Sequence, residues 1–224
     1  MRVYLDCLRW LLWKELKCEM RRKQMIPSML VFSMLMLMLF HFSFSQDGKF
    51  PAAPAAGIIW VTISFAGILG LNRSLALEQE QGLMDGLLLA PVDRSVFYFS
   101  KVLANWSALL LLSLGFIPLV SLFLGSISLT ADLVLVILLG TLGIAVTGSL
   151  LAGMAMQSNS RDSMLSILLF PVLLPLLLAA MKASSAIFMQ SQAAAFLPWI
   201  QLMLVYDSVF FAIGLMTYPA LLEE

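Results

Sequence analysis

Six apolar runs, each close to the roughly 20 residues that an α-helix needs to cross a bilayer, dominate what this chain can fold into. They fall at 26–44, 57–77, 96–124, 132–156, 163–181 and 196–216. Lipid offers no hydrogen-bond partner to a bare peptide group, so a spanning segment must be a helix or part of a closed barrel. These runs are continuous in their apolar residues rather than alternating, which selects the helix. With 61% hydrophobic and 12% charged residues and a mean hydropathy of +0.97, an all-α membrane protein with six transmembrane helices is expected. A formal net charge of zero gives no pointer to nucleic acid.

Residues 1–24 are of another kind. Leu5, Leu8, Leu12 and Leu16 recur at helical spacing, flanked by Trp10 and Trp13 and surrounded by Arg9, Lys14 and Lys17. Glu15 and Glu19 fall near the apolar side, so the amphipathicity is imperfect, and an interfacial helix along the membrane is the expectation. No short apolar region followed by a small-residue cleavage site is present, so no cleavable signal peptide is expected. Cys7 and Cys18 are three helical turns apart, about 16 Å, too far to bridge, and are expected as reduced thiols. The expected organisation is a 1–24 amphipathic helix and a 25–224 six-span membrane domain, with a polar segment at 78–95 between spans 2 and 3.

Six spans put both termini on one side, and charge decides which. Eleven of the thirteen Lys and Arg residues lie in the N-terminal segment and the second and fourth loops, leaving Lys49 and Lys182 opposite. The positive-inside rule makes that side, both termini included, cytoplasmic. Span 5 carries Pro171 and Pro175 one turn apart, a kink signal. "KASSAIFMQSQAAA" after it reads as an outer loop or a re-entrant pair. Span 4 carries small residues four apart, Gly143/Thr147, Gly148/Ala152 and Ser149/Gly153, a spacing that lets helices approach closely.

Catalytic and metal chemistry find little support. His41 is the single histidine, so neither a bis-histidine haem site within one chain nor a serine–histidine pair can be built. The soft Met25, Met29, Met34, Met36 and Met38 read as packing rather than ligands. No G-x-x-x-x-G-K-[ST] phosphate loop occurs, so ATP is not bound by that route. The chain is expected to be no enzyme and to bind no cofactor or metal itself. One residue stands out within a span, Asp207 in "LMLVYDSVFFA", since a carboxyl at membrane depth is expensive. It is expected to face a neighbouring helix in a functional role, or to be a packed acid bonded to Tyr206 or Ser208. Arg73, near the end of span 2, reads as a snorkelling residue that braces Glu78 or Glu80.

The segment "LEQEQGLMDGLLLAPVDRSVFYFSK" interrupts the apolar pattern. Leu83/Met84 and Leu87/Leu88, four apart, form one face of a short helix, with Gly82 and Gly86 keeping the other side slim. Pro91 disfavours its continuation, and Asp93 or Ser95 is suited to cap span 3. That gives either an amphipathic helix presented to the cytoplasm or an ordinary interfacial turn.

"LNRSLALEQEQGLMDGLLLAPVDRSVFYFSKVLANW" resembles the signature of ABC-2 type exporter permeases. Its elements are Glu78 and Glu80, Gly82, Asp85, the run Leu87, Leu88 and Leu89, Pro91 and Lys101. More narrowly, "AAGIIWV", "LNRS", "DGLLLAPVDR", "LLFPVLLPLLL" and "YDSVFFAIGL" are similar to the CcmB family, the haem-exporter-type permeases of cytochrome c maturation. The likeness covers nearly the whole chain and is weakest over the first 50 residues. The resemblance implies a separate ATPase subunit, CcmA, which holds the ATP, and a homodimer within a complex that includes CcmC and CcmD and serves the haem chaperone CcmE. It implies that Glu78, Glu80, Gly82, Leu83, Met84, Asp85, Leu87, Leu88 and Pro91 couple the chain to that ATPase. It implies a bacterial inner membrane location, and either haem as cargo or ATP-driven release of haem-loaded CcmE. An ABC-2 exporter for a polysaccharide, lipid or drug and a non-transporting scaffold are the alternatives.

Overall fold

The computed structural model of the protein describes residues 25–44, 52–80, 94–124, 130–155 and 161–221, with Trp10, Trp13 and Lys14. The described residues form six helices: α1 (Met25–Phe44), α2 (Ala52–Glu80), α3 (Arg94–Leu124), α4 (Ala131–Ala155), α5 (Arg161–Phe188) and α6 (Ala193–Leu221). Each contains a stretch long and apolar enough to cross a membrane. Apolar residues occupy most of every helix circumference, so the backbone pairs internally while side chains meet lipid or neighbours. Interior hydroxyls follow the same rule. Ser33, Ser64, Ser113 and Thr147 each donate to the carbonyl four residues back, at 2.6 to 2.8 Å. At the start of α4, Thr130 acts as N-cap, its Oγ1 accepting from Leu133 N at 3.4 Å, and Asp132 sits in the positive first turn.

Helix α4 is the hub. It packs against α2, α3, α5 and α6, and 72% of its span is buried, against 17% for α1. Helix α1 lies at the edge, on α2 and α3, while α6 packs on α3, α4 and α5 and turns Leu197, Val205, Val209 and Met216 outward. Neighbours come close to α4 because side chains are missing from it. The Trp60 indole of α2 lies over Gly140, where a Cβ would overlap the ring. Its Nε1 donates to Ser184 Oγ of α5 at 2.9 Å, so one side chain ties three helices. The small-residue pairs of span 4 serve several neighbours at once. Gly148 receives Leu71 of α2, Gly153 the Tyr218 ring of α6, and Ser149 accepts from Asn105 Nδ2 of α3 at 2.8 Å.

Several boundaries differ from the sequence reading: α2 begins at Ala52 rather than 57, α5 at Arg161 rather than 163, and α6 runs over Ala193–Leu221 rather than 196–216. Helix α2 continues past 77 to Glu80, so Glu78 and Glu80 lie in its last turn. Helix α5 continues past 181 to Phe188, which removes the 14-residue outer loop and the re-entrant pair: the connection is 189–192 alone. Lys182, Ser184 and Ser185 read as loop residues, yet Ser184 is buried against Trp60 rather than solvated. The helix ends in a Schellman turn, with Gln190 N donating to Ile187 O (2.9 Å) and Ser191 N to Ala186 O (3.0 Å) around a left-handed Gln190, φ 52°. A non-glycine residue there gives no composition signal of a stop. Both Pro171 and Pro175 lie inside α5, as does Pro118 inside α3.

The interfacial helix expected over 1–24 lies almost wholly outside the described residues. Trp10 and Trp13 are helical and exposed, with rings 6.0 Å apart and edge-on. Gly140→Val is expected to cost about 1–3 kcal/mol through overlap with Trp60. Gly115→Ala, which meets a movable Leu30 methyl at 3.1 Å, is expected to cost little. Thermal melting of the detergent-solubilised variants compares the two.

Candidate functional site

One group of polar residues in the bundle interior lies where α4, α5 and α6 meet. In α6, Tyr206 and Asp207 turn inward while Val205 and Ser208 are exposed. Asp207 is the fifteenth of the 29 residues of α6, about 21 Å from either end. The site is therefore at mid-depth of the bundle.

Tyr206 supplies the connection. Its hydroxyl donates to Val172 O of α5 at 3.0 Å and lies 3.2 Å from Thr147 Oγ1 of α4. Thr147 Oγ1 also donates to Gly143 O at 2.7 Å. Two hydroxyls thus carry two protons for three contacts. When both serve backbone carbonyls, none remains between the oxygens; a bond between the hydroxyls gives up one carbonyl. The Val172 carbonyl is next to that of Pro171, which Pro175 deprives of its usual helical donor.

Asp207 makes no such contact. It is 5% exposed, and neither Oδ1 nor Oδ2 has a hydrogen-bond partner among the described residues. Its Oδ1 stands against Gly143 of α4, beside the Leu176 side chain of α5; a Cβ on Gly143 would collide with both. The sequence expectation of a neighbouring helix across from Asp207 holds geometrically. The local partners named for it do not. Tyr206 points its hydroxyl to Thr147 and Val172, and Ser208 Oγ donates to Leu204 O at 2.8 Å on the exposed side. Successive helical residues diverge by about 100°, so i±1 neighbours seldom meet.

The remaining candidates lie apart. Of the residues expected to couple to an ATPase, Glu78 and Glu80 end α2, while Gly82, Leu83, Met84, Asp85, Leu87, Leu88 and Pro91 lie outside the described residues. His41, near the end of α1, stacks edge-on against Phe123 at 5.6 Å and Phe42 at 5.8 Å. Met29 is buried in the core and Met34 is exposed, so the methionines of α1 do not form one ligand set. Among the described residues no three His, Cys, Asp or Glu side chains gather as a metal site would require. A second polar element was harder to see in the sequence: Lys101 of α3, 5% exposed, one turn before Asn105 and its bond to Ser149. A lysine at the start of an apolar span reads as an interfacial charge; the Asn105 four residues later was the available signal of a polar stripe.

Six apolar helices packed about the small-residue surface of α4, with Asp207 at the middle of α6, define an integral membrane protein of the helical-bundle class. The family profile described as "CcmB protein" matches residues 7–222, and the chain belongs to that family. It is similar to "Heme exporter protein B" of Pseudomonas aeruginosa, 26% identical over 85% of this chain and 86% of that protein. It is likewise 28% identical to the proteins of that name from Haemophilus influenzae, over 77% of this chain and 79% of the relative, and Rhodobacter capsulatus, over 76% and 79%.

Tyr206→Phe removes the bridge without changing shape and is expected to destabilise by about 1 kcal/mol. Thr147→Val is expected to cost less, since Tyr206 keeps Val172. Unfolding by SDS titration in bicelles ranks the two.

Proposed function

We propose that this chain is the membrane permease subunit of an ABC transporter complex acting in haem export for cytochrome c biogenesis. The family match over nearly the whole chain carries the reading. The relatives' name supplies the cargo: each is called "Heme exporter protein B". ATP is hydrolysed by a separate subunit, CcmA, a division of labour that agrees with the lack of a G-x-x-x-x-G-K-[ST] phosphate loop in this sequence. The segment 78–91 is the coupling element. Its apolar Leu83, Met84, Leu87 and Leu88 enter a groove on the ATPase, and Glu80 and Asp85 meet basic residues there. The chain works as a homodimer beside CcmC and CcmD, with CcmE as the haem-accepting chaperone. The membrane is a bacterial inner membrane, with both termini and the coupling segment on the cytoplasmic side, a reading that the excess of Lys and Arg on that side supports.

A second reading has a specific observation in its favour. The sequence contains one histidine, so a path that passes haem between histidines cannot be built within one protomer. In that reading, closure of the ATPase drives release of haem-loaded CcmE and no haem passes through this subunit. Reconstituted vesicles separate the two: ATP-dependent movement of haem into the lumen supports export, and ATP-dependent CcmE release without movement supports the second.

Affinity purification from detergent-solubilised membranes is expected to recover the ATPase with this chain; its absence would overturn the assignment. Asp85→Lys and Gly82→Val are expected to lower coupled ATP hydrolysis at least several-fold while membrane insertion stays normal. Co-purification and unchanged hydrolysis in both variants would remove 78–91 as the coupling element.

A further inference from the structure

Asp207 is a costly group with no visible compensation. It is nine-tenths buried or more, at mid-span, with both oxygens unpartnered among the described residues. An ionised carboxylate in such a place costs several kcal/mol unless a cation or several donors reach it. The facing elements supply neither. Helix α4 presents Gly143 and Thr147, and its one charged residue, Asp132, is exposed at its far end. Helix α5 presents Leu176; Lys182 is exposed near one end, and Arg161 and Asp162 belong to the other. Helix α3 brings Tyr98 against Gly214, two turns along α6, and a buried Lys101 that makes no hydrogen bond to Asp207. On α6 itself, Tyr206 is engaged with Thr147 and Val172, and Tyr218 packs on Gly153.

We infer that Asp207 is a proton-binding site whose loading holds α6 against α4. With the proton on Oδ the carboxyl is neutral and fits the cleft at Gly143 and Leu176. When the O–H bond breaks and the proton leaves to water, the charge is left in an apolar cleft. The cleft must then open until water or a cation reaches the oxygens. The glycine makes this contact sensitive, because no Cβ separates the carboxyl from the α4 backbone. The Tyr206–Thr147 pair beside it has fewer protons than contacts and can re-form its bonds as the helices part. The packed arrangement therefore gives way as pH rises. The inference goes beyond the haem-export reading and needs neither cargo nor ATPase.

The test uses the full chain in nanodiscs, followed from acid to alkaline buffer. Infrared difference spectra with carboxyl-labelled aspartate report the acid, and Asp207→Asn assigns it. Spin labels at the exposed Met154 and Met216, with Cys7 and Cys18 replaced by serine, report the α4–α6 spacing. The expected result is a label-sensitive carboxylic-acid band that disappears as pH rises, with spacing that widens over the same range. Asp207→Asn should lack the band and hold the narrow spacing throughout. If that variant does not fold, Asp207→Glu assigns the band by its loss from the aspartate label. No acid band at Asp207, a spacing that ignores pH, or an Asp207→Asn variant that widens like the parent would each overturn the proposal.

Discussion

Close approach to α4 through missing side chains is the contact on which the rest of the bundle depends. Between helices in lipid, no hydrophobic force rewards burial of one apolar face on another; packing contacts and hydrogen bonds do the work. Gly140 and Gly143 let the Trp60 indole and the Leu176 and Asp207 side chains sit directly on the α4 backbone. From those approaches follow the bonds that join α2 to α5 through Ser184, and α6 to α4 and α5 through Tyr206. A bulkier α4 would push these partners out of hydrogen-bond range together.

Much of this was legible in the chain, for a physical reason. A bilayer turns length and hydropathy into structure almost without competition, so six runs became six helices in the expected order. The failures were at the ends. Ser184 and Lys182 suggested a loop, but a hydroxyl paired with an indole belongs inside a bundle, and that pairing joins residues 124 apart in sequence. The turn that ends α5 uses glutamine where glycine is usual, which no composition pattern announces.

The site was legible in part. Asp207 stood out because nothing else in its span is charged, and the small-residue spacing of span 4 marked the surface it meets. Its isolation from Tyr206 and Ser208 follows from helix geometry, in which adjacent residues point apart. Tyr206 was read only as a local partner of Asp207, because a tyrosine in an apolar span gives no sign of which carbonyl it will reach. The carbonyl it reaches lies beside the gap that Pro175 leaves, a conjunction of two helices that neither sequence shows alone.

The order of the helices along the chain bears on how the protein is made. Helix α4, the most apolar of the six spans, precedes α6 in the chain and offers its glycine face before α6 is made. Asp207 belongs to a span synthesised after α4. A carboxyl at the centre of a helix costs about 2.5–3.5 kcal/mol on insertion, and each Leu, Ile, Phe or Val offsets about 0.3–0.6. Helix α6 thus loses part of its insertion gain to this one residue and benefits from a cleft already standing in the bilayer. Biogenesis in this order lets the most awkward residue of the chain arrive when the place that receives it has been built.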